Sequence, residues 1–90
     1  MSAHYTFPPA SAYPLNRCLF LLKSDPAFLE RFLADPEAAM DELGLDAEAR
    51  AALRAFDRER LVALGAHRYL VFMAGLRVQM ARAPAAFEYF

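Results

Sequence analysis

Ninety residues with ten basic and eleven acidic side chains, a formal net charge of −1, make one small domain. There is no positive excess of the kind that nucleic acid or an anionic membrane surface demands. Hydrophobic residues are 58% and aromatics 13% of the chain, more than so small a core can enclose, so the surplus points to an apolar face reserved for another chain.

The first thirteen residues hold Tyr5, Phe7 and Tyr13 around Pro8-Pro9, a pair that forbids helix and favours an extended arm. Disordered tails are usually poor in aromatics, so this arm is expected to lie along a surface. A helical domain over residues 14–83 follows. Its first helix, about Leu15 to Lys23, carries Leu15, Cys18, Leu19 and Leu22 on one stripe at helical spacing. Cys18 sits on that apolar face and reads as a small buried hydrophobe. As the chain's one cysteine it excludes an intrachain disulfide and fits a cytoplasmic setting.

Asp25-Pro26 and Asp35-Pro36 each open a helix. The Asp caps orphan N–H groups, and Pro at the next position needs no donor. These helices run to about Ala34 and Leu43 and bury Leu29, Phe32, Leu33, Met40 and Leu43. Gly44 stops the second of them with the left-handed geometry that other residues resist. Asp46 caps a fourth helix, with Leu45, Ala49, Ala52, Leu53 and Phe56 stacked on one side. Asp57 caps a fifth, which ends at Leu64-Gly65. Arg50, Arg54 and Arg58 are interleaved with Asp46, Glu48, Asp57 and Glu59, so they form a solvated mixed face and no basic stripe.

The last helix, about Ala66 to Ala83, is the longest and is apolar over most of its circumference. Tyr69, Met73, Leu76 and Met80 make one stripe; His67, Val71, Ala74 and Val78 make another. Such a helix is either central or shared between subunits, and the first alternative has Leu76 buried. Pro84 ends it, and residues 84–90 form an aromatic tail with Phe87, Tyr89 and Phe90. Apolar alternation never lasts four residues, and only Thr6, Val62, Val71 and Val78 are β-branched. The fold is all-α: a compact orthogonal multi-helical domain of five or six short helices with a long central C-terminal helix. No stretch reaches the roughly 18–20 apolar residues of a membrane span, and no basic start followed by an apolar core marks a secretory signal.

An active site needs convergent groups, and here the inventory is thin. His4, His67 and Cys18 cannot build a zinc site of Cys and His alone. An iron site of two His and one carboxylate would need a ligand from the Pro-rich arm. The three glycines are scattered, so no phosphate cradle exists. Glu37, Asp41 and Glu42 read as surface charges that compensate a helix dipole. His67 reads as structural at the start of the last helix. No catalytic, cofactor-binding or metal-binding residue is expected in this chain.

The order Leu15-Asn16-Arg17-Cys18, then Phe32-Leu33-Ala34-Asp35 with Glu37-Ala38, Gly44-Leu45 with Glu48, Ala52-Leu53, Asp57, Leu61 and Leu64-Gly65 resembles the small (alpha, LigA-type) subunit of protocatechuate 4,5-dioxygenase. The same module is fused to related extradiol dioxygenases such as gallate dioxygenase. The resemblance implies an all-helical, non-catalytic accessory subunit of a bacterial aromatic-catabolic enzyme. Its large partner subunit would hold a non-haem Fe(II) and open a catechol ring with O₂. The alternative is a stand-alone helical interaction module with no dioxygenase role, homodimeric. In either case the expected interface residues are Tyr5, Phe7, Tyr13, Leu15, Leu19, Leu22, His67, Phe87, Tyr89 and Phe90, with a homodimer when no large subunit is present.

Overall fold

A computed structural model describes residues 10–83 of the protein. A single 3-10 turn, Ala10–Ala12, leads into six α-helices: α1 Tyr13–Ser24, α2 Pro26–Ala34, α3 Pro36–Glu42, α4 Ala47–Ala55, α5 Arg58–Ala63 and α6 Arg68–Arg82. No strand occurs among the described residues. Helix thus begins at Tyr13, which the sequence assigns to the arm, because Pro14 falls in the first turn of α1, where no donor is needed. The expected anchors Tyr5, Phe7, Phe87, Tyr89 and Phe90 lie outside the described residues.

Capping decides where these short helices start. Asp25 Oδ1 accepts from the N–H groups of Ala27 and Phe28 at 3.0 and 3.2 Å. Asp35, Asp46 and Asp57 do the same for Ala38, Ala49 and Arg60. Isolated helices of six to nine residues are marginal in water, so each cap, worth about 0.5–2 kcal/mol, matters to the local structure. Three stops share one geometry. The N–H groups of Leu45, Asp57 and Ala66 bond back five residues to the carbonyls of Met40, Ala52 and Leu61. In each the preceding residue is left-handed: Gly44 at φ 72°, Phe56 at 46° and Gly65 at 103°.

Consecutive helices pack on one another in chain order, and α6 returns to α1, its most extensive neighbour. The ring encloses one core. Leu15, Cys18, Leu19 and Leu22 from α1 meet Phe28 and Phe32 from α2, Met40 from α3, Leu53 from α4 and Leu61 from α5. From α6 come Val71, Ala74 and Val78, 3%, 0% and 4% exposed. The second apolar stripe of the last helix is therefore the buried one.

The first stripe corrects part of the sequence reading. Tyr69 is 55% and Met80 39% exposed, and Met73 and Leu76 are only half-buried. One face of α6 is central to the fold, and the opposite face is surface. Leu76, expected inside, sits about 160° round the helix from Val78 at the 3.6-residue period.

Candidate interaction surface

The outer side of α1 is built by spacing. Tyr13, Arg17, Phe20 and Ser24 recur at i, i+4, i+7 and i+11, all exposed, while Leu15, Cys18, Leu19 and Leu22 face inward. On α6 the outer residues Tyr69, Met73, Leu76 and Met80 follow the same rule. Lys23 joins the two helices, with its Nζ 5.3 Å from the Phe20 ring centroid and 6.0 Å from that of Tyr69. Both distances suit a cation–π contact. Among the described residues, every exposed large apolar side chain (Tyr13, Phe20, Tyr69, Phe72 and Met80) belongs to α1 or α6.

The expected interface residues divide accordingly. Tyr13 and His67 are exposed. Leu15, Leu19 and Leu22 are 3%, 0% and 1% exposed, so they are core and are not available to a partner in this fold. They are buried because α6 packs across the same stripe of α1. Phe20 and Tyr69 take their place on the surface. Phe20 lies outside the apolar stripe, and from a single sequence its exposure shows only in its spacing from Tyr13.

His67 has a structural task. Its Nδ1 accepts the Tyr69 N–H at 3.2 Å and so caps α6. Its own N–H donates to Asn16 Oδ1 at 2.8 Å. The Asn16 amide in turn donates to the carbonyls of Gly65 at 3.1 Å and Ala12 at 3.2 Å. Asn16 thus ties the start of α1 to the turn before α6, across about fifty positions of chain. Only the sequence order Leu-Asn-Arg-Cys hinted at its importance.

Little here supports chemistry. Cys18 is fully enclosed, and burial pushes its thiol up to about 12, so the nucleophilic thiolate is suppressed. Among the described residues no three His, Cys, Asp or Glu side chains stand close enough to hold a metal ion. The one described histidine already uses Nδ1 as a cap. The acidic cluster on α3 is committed to neighbouring helices: Glu37 to Arg54 at 3.2 Å, Asp41 to Arg50 at 3.0 Å and Glu42 to Arg31 at 3.4 Å. A groove of about 460 Å³ between α4 and α6, floored by Phe56, Gly75 and Val78, has Arg58 and Arg82 at its edge and no carboxylate or histidine in its lining.

Comparison with known families decides the placement. The model of the aromatic-ring-opening dioxygenase LigAB, LigA subunit, matches residues 15–88. The chain belongs to this family. The match takes in nearly all of α1 and the whole of α2 to α6. No curated protein and no solved structure matches the chain. In this LigA-subunit member most of the residues that carry the resemblance are structural in role, the exposed Arg17 excepted. Asp35 and Asp57 cap helices, Gly44 and Gly65 stop them, and Asn16 clamps α1 to the last turn. Glu37 and Glu48 tie neighbouring helices through Arg54 and Arg60.

Proposed function

We propose that this chain is a non-catalytic accessory subunit of a non-haem Fe(II) extradiol aromatic-ring-opening dioxygenase and packs on a large catalytic subunit. The family match over residues 15–88 carries the reading. The exposed aromatic side chains of α1 and α6 support it, because a chain that works alone has little reason to leave Tyr13, Phe20, Tyr69 and Phe72 at least half exposed. In this reading the iron and the ring-opening chemistry belong to the partner. The small subunit contributes a rigid apolar surface.

Co-expression with the large extradiol subunit from the same source tests the proposal. The expected outcome is a complex that survives size-exclusion chromatography, with ring cleavage by the large subunit raised when the small one is present. A large subunit that neither binds this chain nor changes activity on its addition would exclude the role.

A further inference from the structure

Net charge conceals how the charges are arranged. Ten acidic residues lie between Asp25 and Glu59, accompanied by four basic ones. The described segments on either side, residues 10–24 and 60–83, carry Arg17, Lys23, Arg60, Arg68, Arg77 and Arg82 and no acidic residue at all. Because α6 packs against α1, the fold joins these two segments in space. Arg31, Arg50, Arg54 and Arg60 make ion pairs with carboxylates of α3 and α4. Among the described residues Arg17, Lys23, Arg58, Arg68, Arg77 and Arg82 make none, and all of these but Arg58 stand on α1 or α6. The two helices that expose the aromatic side chains thus also carry five of these six unpaired cations.

We infer that the outer face of α1 and α6 is the docking face. Its occupant is a surface of the large subunit with an apolar centre and an acidic rim; this rests on the accessory-subunit reading. Phe20, Tyr69, Met73 and Leu76 supply a centre that loses water on contact, with aromatic side chains as the natural anchors. Arg17, Lys23 and Arg77 supply the border, where charge guides encounter and fixes orientation. Lys23 is already poised over two of the rings. The arrangement also disfavours the symmetric homodimer expected from the sequence. A two-fold interface apposes a surface with its own copy, and this one would bring cations against cations, with no carboxylate contributed by α1 or α6 themselves.

The test uses the full chain and the separately prepared, iron-loaded large subunit. Binding is followed at about 50 and about 300 mM salt, since screening acts on exposed charges over this range. We expect the dissociation constant to rise about tenfold or more with salt and again with Lys23→Glu plus Arg77→Glu. Phe20→Ala plus Tyr69→Ala should weaken binding by at least about tenfold at either salt. Arg54→Glu, on the acidic side, should leave binding within about twofold, and circular dichroism should stay helical in every variant. A complex indifferent to the α1 and α6 substitutions overturns this inference and leaves the accessory role standing. No complex at all, with the chain instead forming a symmetric dimer through Phe20 and Tyr69, overturns both. So does preferential binding to duplex DNA or anionic vesicles.

Discussion

At the scale of single residues, Cys18 and the pair Asn16–His67 give measurable consequences. Burial pushes the Cys18 thiol up to about 12 in the folded chain from an ordinary 9.0. Between those values the unfolded chain loses a proton that the folded chain keeps. Stability contributed by this group is therefore full below about pH 9 and falls as pH rises through that window, by up to about 1.4 kcal/mol per unit. Urea melts at pH 8 and about pH 10 should show a smaller loss in Cys18→Ala than in the wild type, the difference isolating this thiol from lysines and tyrosines. An aromatic disulfide reagent should react with Cys18 no faster than the chain unfolds, and rapid reaction would contradict the enclosure. For the clamp, Asn16→Ala removes the hydrogen bonds of the Gly65 carbonyl and the exposed His67 N–H, which water can partly replace, and should cost about 0.5–1.5 kcal/mol. His67→Ala should cost about 0.5–2 kcal/mol, whereas His67→Asp should recover most of it as a cap. Failure of Asp to rescue would mean that the imidazole does something besides capping.

At the scale of elements, starts were easier to read than stops. Four of the five side-chain caps are Asp, and two stand before Pro, so each start has a chemical mark in the sequence. Two of the three left-handed stops are Gly and equally visible. The third, Phe56, was not legible as a stop, since a left-handed aromatic costs about 1–2 kcal/mol and local sequence gives no reason to expect it. The reason is tertiary. A Cβ on Gly75 would stand 3.0 Å from Phe56 Cε1 and 3.5 Å from Arg58 Nη2, so the missing side chain on α6 makes room for the ring that ends α4. This predicts a coupling. Gly75→Ala normally gains about 0.8–1 kcal/mol of helix propensity, but here the gain should be cancelled or reversed by displacement of the ring. In a Phe56→Ala background the same change should stabilise, leaving an interaction energy of about 0.5–3 kcal/mol in a double-mutant cycle. Identical effects in the two backgrounds would deny the contact. The same reasoning explains α6: its two apolar stripes were visible, but which faced inward depended on the angle at which α1 meets it.

At the scale of the whole molecule, the all-α class and the family were legible because caps, stops and heptad-like spacing act locally. The surface was not. Leu15, Leu19 and Leu22 looked like surplus until α6 covered them, and Phe20 counted for nothing until Lys23 and Tyr69 stood beside it. The charge asymmetry could have been read by separating the chain into thirds, but its meaning depends on the first and last helices being neighbours. A chain truncated after His67 keeps every Asp cap and five helices, yet leaves the core face of α1 bare. It should retain part of its helical circular dichroism while losing a cooperative urea transition, and an undiminished transition would show that α6 is dispensable to the core.

That closure of α6 on α1 bears on how such a protein is made. The ribosome releases α1 long before α6, so the surface that Phe20 and Tyr69 share cannot exist on a nascent or interrupted chain. Any partner that recognises the two helices together is, in effect, reading two distant passages of one message. On the docking-face proposal, only a chain in which α6 has closed on α1 would be taken up. Assembly on that face would then discriminate against chains that stop before α6.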